Sequence, residues 1–335
     1  MPTRPKRVAT AADATDVRRI RHLVAVSEGD PLAPFALRPE KQYVFAPAGD
    51  AAVGYQIRLG TAVASGDPVG APTAWPGAIE AFTLSAQSRG LRIAVLGAGE
   101  RARPLWEQYR LSGVPIGRDV VVRGNDFTLT GRRFRNLRQA IQRSHNAGVK
   151  VEIIREGDLT PEQVSDLRSL IRLSRREDSR GFSMILGRLF DGGAPDAVIA
   201  IARDRDGQLA AVHRYLWAGQ HDLSLDLPIR AGTAPNGVDE RIIAEMVDWG
   251  REQGVERVSL AFAPFPDLFV KRNRLGMLTK IAYGAVHLLD PLIRVERLYR
   301  YLRKFHAFDQ QRFVMLRRRQ ILIVAVALLL LEFGG

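Results

Sequence analysis

The chain has 335 residues and carries 49 Lys and Arg against 36 Asp and Glu. Its formal charge of +13 points to an anionic partner, nucleic acid or an acidic membrane surface, without choosing between them. A composition that is 46% hydrophobic and 25% charged excludes general disorder and provides for a sizeable core. The absence of cysteine excludes disulfides, thiolate nucleophiles and Cys-based zinc sites, and the first thirty residues lack the apolar core of a secretory signal.

In chain order, strand-like runs at Gln42–Phe45, Ala52–Arg58 and Thr61–Ala64 lead to a Gly66-Asp67-Pro68 turn. A helix follows over Trp75–Arg89, then a strand at Arg92–Leu96, a helix near Pro104–Leu111, and strands around Val120–Val122 and Phe127–Leu129. Strands that arrive in succession before the helix predict a mixed sheet with much antiparallel pairing. The segment from Ile93 to Ala102 runs a strand into G-x-G-x-x-A, with Asp119 about 20 residues on, as a dinucleotide site would want. It does not open a βαβ unit, and Pro104 comes early in the next helix, which favours a tight turn.

From Gly131 to Lys150 a helix carries Arg132, Arg133, Arg135, Arg138, Arg143 and Lys150 with no acid, while Phe134, Leu137 and Ile141 share its other face. Solvated helix faces normally mix signs, so this one is expected to contact an anion.

The second half repeats the plan with a strand at Val151–Arg155, a capped helix from Thr160-Pro161, and strands at Ala197–Arg203, Leu209–Trp217 and Asp222–Asp226. A helix over Asp239–Gln253 feeds a strand at Arg257–Phe262. Beyond Phe269 the chain reads as helical and basic. Arg317, Arg318 and Arg319 then precede an apolar run, Ile321 to Leu331, well short of the roughly 20 residues of a spanning helix. That run is read as an interfacial anchor, a docked terminal helix, or the start of a membrane segment. The expected division is a basic segment 1–30, an α/β domain 31–147 ending in the basic bridge helix, a second α/β domain 148–315 carrying the site, and an anchor helix 316–335.

Six histidines show no metal-binding spacing and no serine stands in a G-x-S-x-G elbow, so neither a metal nor covalent catalysis is expected. What remains is SLDLPIR followed by APNGVDE. In an extended strand Asp226 and Arg230 share one face, which predicts a carboxylate and a guanidinium aimed into one cleft, beside the Asn236-Gly237 turn. An ordinary surface ion pair, and for Asp67 an ordinary turn, are the competing readings.

With those segments quoted, the chain resembles the C-terminal synthase domain of the bacterial multiple peptide resistance factors, the aminoacyl-phosphatidylglycerol synthases. The likeness runs from about Tyr43 to Phe313, through GYQIRLGTAVASGDPVG, DFTLTGRRFRNLRQAIQRSHNAG, RGFSMILGR, SLDLPIR, APNGVDE, VSLAFAPF and LYRYLRKFHAF. It implies tandem folds of the GCN5-related acetyltransferase type and transfer of an aminoacyl group from charged tRNA to the glycerol hydroxyl of phosphatidylglycerol, with no cofactor and no covalent intermediate.

By that resemblance Asp226 and Arg230 match the family's D-L-M-R block, Asn236 and Gly237 its P-N-G turn, and Lys304 the lysine of its late K-F block. Asp226 is then the base or acceptor-orienting group, Arg230 a clamp on phosphate or oxyanion, Lys304 and Asp67 substrate contacts, and Arg132, Arg135 and Arg138 contacts to tRNA. This sequence departs from the pattern at Pro228-Ile229 and at Val238-Asp239-Glu240. The flippase half of longer relatives is absent from these residues, which leaves open a separate flippase partner. The implied location is cytoplasmic, peripheral on the inner face of the plasma membrane. An acyl-CoA or FemX-like N-transferase, and a non-catalytic protein that tethers RNA to a membrane, are the alternatives. No short motif names the amino acid.

Overall fold

The computed structural model describes residues 14–177, 189–264 and 298–333. The RGFSMILGR block and the basic stretch after Phe269, up to residue 297, lie outside the described residues, as do residues 1–13. The first half contains α1 (Ala14–Ala25), β1 (Gln42–Phe45), β2 (Ala51–Arg58), β3 (Thr61–Ser65), β4 (Val69–Gly70), α2 (Trp75–Ser88), β5 (Arg92–Gly99), α3 (Arg103–Glu107), β6 (Ser112–Arg123) and α4 (Arg135–Asn146). The second contains β7 (Lys150–Arg155), α5 (Pro161–Glu177), β8 (Val198–Arg203), β9 (Leu209–Trp217), β10 (Asp222–Arg230), α6 (Val238–Glu252), β11 (Arg257–Pro264), β12 (Phe308–Leu316) and α7 (Ile321–Phe333).

Among the described residues these strands form one sheet in the order β1-β2-β3-β5-β12-β6-β11-β10-β9-β8-β7, with β4 pairing β2 at Ala51 and Ala52. Each half has a parallel pair bridged by a helix, β3-α2-β5 and β10-α6-β11, as a mixed α/β fold requires. The halves also exchange strands. β12, late in the chain, inserts between β5 and β6, and β6 in turn pairs with β11 of the second half. The sheet therefore does not divide at residue 148.

Helices cover both faces, because strands buried on two sides need two apolar partners. In α2, Trp75, Ala78, Ile79, Phe82 and Ala86 fall at helical spacing and pack on Val53, Ala64, Val95 and Met315. On the opposite face α1 covers Ala52 and Val69, and α7 covers Val63, Ala94 and Val314. In the second half α4 and α6 lie on one face, and Leu167, Leu170 and Ile171 of α5 on the other.

The terminal run is thus a helix docked on the sheet through Val324 and Ala327, and no helix among the described residues is long and apolar enough to cross a membrane. The strand expected at Phe127–Leu129 is instead a loop. The Phe134 ring and a hydrogen bond from Arg251 to the Phe127 carbonyl hold it.

Candidate active site at the parting of two strands

β10 and β11 pair only over Asp222–Ser224 and Arg257–Ser259. β10 then shifts register between Leu225 and Leu227 and stays with β9, while β11 stays with β6 through Pro264. The strands part, and the wedge opens toward Arg230 and the N-terminus of α6.

The register shift corrects the expectation that Asp226 and Arg230 share a cleft. Before it, Leu223 and Leu225 pack with α6; after it, Leu227 and Ile229 pack with α5. A bulge adds one residue to one strand and so inverts the alternation that follows. Asp226, the extra residue, lies on the α5 face, where Arg214 Nη1 donates to its Oδ2 at 2.5 Å and Arg214 Nε donates to Glu156 Oε2 at 2.6 Å. The Arg214 and Asp226 side chains are 1% and 0% exposed. Burial opposes the charge of Arg214, but the two carboxylates outweigh it and raise its pKa.

Arg230 lies on the α6 face with its side chain 39% exposed. Its Nη2 donates to the Ala234 carbonyl at 2.8 Å, the Pro235 carbonyl at 3.3 Å and Asn236 Oδ1 at 3.4 Å, which fixes the loop ahead of α6. Its Nη1 is 3.6 Å from Asp239 Oδ2, while Asp239 Oδ1 bonds His213 Nε2 at 3.0 Å. His213 Nδ1 in turn meets Tyr215 Oη at 3.2 Å. Burial acts to raise the Asp239 pKa, but the His213 bond and the charges of His213 and Arg230 outweigh it and hold the carboxyl below its usual range.

The Tyr301 hydroxyl lies near Asp239 and Glu240. Burial, then those two carboxylates, raise its pKa well above the ordinary value, and its Oη has no partner among the described residues. Lys304 Nζ donates to Glu240 Oε1 at 2.7 Å in the first turn of α6.

Gly237 sits at φ +93°, and a Cβ there would stand 1.9 Å from the Ala140 carbonyl oxygen of α4. The basic helix is thereby held against the mouth of the wedge. Phe134, Leu137, Ala140 and Ser144 face inward, while Arg132, Arg135 and Arg138 point outward. Arg138 Nη1 is committed to the carbonyls of Leu129 and Gly131; Arg132 and Arg135 stand exposed. The structure thus brings together Arg230, Asn236, Gly237 and Lys304, with α4 alongside.

Asp67 belongs to a different cluster. It accepts from the Gly99 amide at 2.8 Å and lies 3.9 Å from Arg312, a fully buried guanidinium that also binds Asp30 at 2.6 Å and Asp119 at 2.7 Å. Burial, then the charge of Asp30, pushes the Asp67 carboxyl up to about 7. The G-x-G-x-x-A segment serves this cluster. Gly97 and Gly99 lie inside β5, not at a helix N-terminus, and the Gly97 carbonyl accepts from Arg312 at 3.2 Å.

Sequence reasoning missed His213, Tyr215, Asp239 and Tyr301. The first two alternate on β9, a signal visible only once that strand's faces are assigned, and Asp239 was quoted within APNGVDE without a role.

Residues 21–316 match the family described as phosphatidylglycerol lysyltransferase, C-terminal. The MprF-like domain protein Rv1619 of Mycobacterium tuberculosis is 44% identical over 327 residues, which cover 95% of this chain and 67% of that one. The lysylphosphatidylglycerol biosynthesis bifunctional protein LysX of Rhodococcus opacus is 35% identical over 92% of this chain, which spans only 29% of LysX. The solved structure of L-PGS from Bacillus licheniformis superposes with a TM-score of 0.78 at 18% identity, covering 98% of this chain and 99% of that one, a likeness of fold. The chain belongs to the family of C-terminal domains of phosphatidylglycerol lysyltransferases, a transferase family.

Proposed function

We propose that the protein moves an amino acid, lysine or another, from aminoacyl-tRNA to the glycerol hydroxyl of phosphatidylglycerol at the mouth of the wedge between β10 and β11. The observation that carries this reading is the convergence of Arg230, Asp239 and Lys304 on the N-terminus of α6, beside a basic helix face that carries no acid. Family membership supplies the reaction class.

An aminoacyl ester is already activated, so transfer needs positioning of the acceptor, a destination for its proton and stabilisation of the tetrahedral oxyanion. The lipid oxygen attacks the ester carbonyl, the tRNA ribose oxygen leaves, and the hydroxyl proton ends on that leaving oxygen. Arg230 clamps the lipid phosphate or the oxyanion, and the first amides of α6 add donors that its own ladder leaves free. Asp239, held ionised, orients the acceptor hydroxyl by accepting its hydrogen bond; a depressed pKa makes it a weak general base. Lys304 supplies a second cation at the same helix turn.

Asp226 acts through Arg214, from the far face of the sheet. Arg132 and Arg135 contact tRNA phosphates, with affinity that falls steeply with salt. The reaction takes place at the cytoplasmic leaflet of the plasma membrane.

The test is expression in a host that lacks aminoacylated lipids, followed by lipid extraction and mass spectrometry. A new phospholipid whose mass identifies the amino acid is expected from the wild-type chain and not from Arg230→Ala. A folded, expressed wild-type chain that yields no such lipid refutes the reading.

A further inference from the structure

The register of the sheet places a second feature on the side of the sheet toward which the wedge opens. Leu316 pairs with Ser112, Met315 with Val95, and Thr61 with Arg92. The β2–β3 turn, the starts of β5 and β6 and the junction of β12 with α7 therefore gather along one end of the sheet. That end carries Arg58, Arg92, Arg110, Arg317, Arg318 and Arg319, and no Asp or Glu occurs in 58–61, 89–92, 110–112 or 317–320.

Apolar side chains stand among these cations. Leu59, 49% exposed at the tip of the β2–β3 turn, has φ +46°, a left-handed conformation that favours Gly or Asn. On α7, Leu322 and Val326 are 74% and 48% exposed, one turn apart, while Val324 and Ala327 face the sheet. A helix docked on a sheet normally turns polar residues outward, yet Ile321 to Leu331 offers none.

The direction of this end follows from the same registers. β12 and β11 are each antiparallel to β6, and β10 is parallel to β11, so β10, β11 and β12 all end toward one side. A twist of ~20–25° per strand turns the axes by roughly 60–75° over the three steps from β12 to β10, which leaves Arg317 and Arg230 facing one hemisphere.

We propose that this sheet end, the Leu59 tip and the outer face of α7 form the surface by which the protein sits on an anionic lipid bilayer, with the mouth of the wedge turned to the headgroups. Guanidinium groups bind lipid phosphates, and Leu59, Leu322 and Val326 enter the acyl boundary. An RNA backbone satisfies the arginines equally well but offers nothing to an apolar stripe, so the combination selects a membrane. The inference rests on the lipid-acceptor reading above and adds the orientation of the whole domain.

Flotation with phosphatidylcholine vesicles, with and without phosphatidylglycerol, tests it. A Lys or Arg near an anionic surface contributes roughly fivefold in partitioning, so R317Q/R318Q/R319Q is expected to lower binding to the anionic vesicles on the order of a hundredfold and to leave the neutral ones unchanged. L59G with L322Q is expected to lower it a further several-fold. Neither change burdens the fold, since Leu59→Gly suits the turn and Leu322 is exposed, and thermal melts provide the control.

Wild-type flotation retained by both variants overturns the proposal. So does loss of tRNA binding with flotation intact, which makes the end an RNA surface. Transfer to detergent-dispersed phosphatidylglycerol without flotation overturns the surface and keeps the enzymatic reading. Flotation without transfer to the lipid in any form supports the surface while refuting that reading.

Discussion

A single methyl group at Gly237 tests the contact between the basic helix and the site. In Gly237→Ala the new Cβ falls 1.9 Å from the Ala140 oxygen and 2.6 Å from its carbonyl carbon, both mid-helix backbone atoms of α4 that cannot rotate away. Relief requires α6 and α4 to separate by about an ångström, and overpacking of this kind costs about 1–3 kcal/mol. The residue must also hold φ +93°, which adds about 1–2 kcal/mol for an L-residue. The sum, about 2–5 kcal/mol, is a large share of a typical stability of about 5–15 kcal/mol. At about 2–4 °C per kcal/mol, calorimetry should show a fall in Tm of roughly 4–20 °C. Gly254→Ala, at the other end of α6, is the control, because φ is +76° there but nothing lies within 4 Å. It should show only the backbone cost. A misplacement of about an ångström in the 234–237 loop should also lower transfer by on the order of a hundredfold. A Gly237→Ala protein that melts with its Gly254→Ala counterpart and turns over normally would refute the packing argument.

Arg312→Met leaves Asp30, Asp67 and Asp119 buried around no cation, and should destabilise by about 3–5 kcal/mol in chemical denaturation, with partial recovery at acidic pH as the carboxyls protonate. For Asp67 itself the folded carboxyl titrates near 7 against an ordinary value near 3.8, so the native state holds the extra proton between those limits. Its stability contribution is then present at low pH and lost as pH rises through 7, with a slope of up to about 1.4 kcal/mol per pH unit. Asp67→Asn should flatten that part of the stability profile and gain on the wild type as pH rises from about 3.8 to about 7; parallel profiles would refute the assignment. Asp226→Asn keeps an acceptor for Arg214 and should cost less than about 1.5 kcal/mol, whereas Arg214→Met strands Glu156 and Asp226 and should cost about 3–5 kcal/mol. Complete loss of transfer in a well-folded Asp226→Asn protein would show that the reaction uses this carboxylate directly.

The elements were legible wherever period and punctuation agreed. The exposures of α4 alternate as its sequence predicts, and α2 buries the positions its spacing selects. The geometry around Asp226 was not legible, because the spacing argument holds only for an unbulged strand and no residue type in Leu225-Asp226-Leu227 announces a bulge. Arg230, Asn236 and Gly237 were found because turn chemistry is local. The Arg312 cluster was hidden for the opposite reason: its partners Asp30 and Asp119 lie 282 and 193 positions away, and three acids scattered over two loops and a strand leave no pattern in a linear chain. His213 escaped for a related cause, since a lone histidine in an apolar strand gains meaning only from the Asp239 carboxylate brought to it by α6.

The exchange of strands joins these two clusters. Among the described residues β11 has no pairing on its β10 side beyond Ser259, and the wall of the wedge is held from its other edge, by Asp119, Arg118 and Gly117 of β6 opposite Phe262, Ala263 and Pro264. Gly117 permits that approach, since a Cβ there would stand 2.4 Å from the Ala263 oxygen. β6 is fixed in turn by β12, whose Arg312 grips Asp119 and draws Asp30 and the Gly97 carbonyl onto the same point. The Arg312 cluster therefore determines where one wall of the wedge stands. The three acids around Arg312 have to be buried to do this, and the raised Asp67 pKa is a measure of what that placement costs. On this reasoning the Arg312 cluster contributes geometry to the reaction and not chemical groups. Substitutions in that cluster should lower stability and turnover together, whereas Arg230→Ala, at an exposed side chain, should lower turnover with little change in Tm.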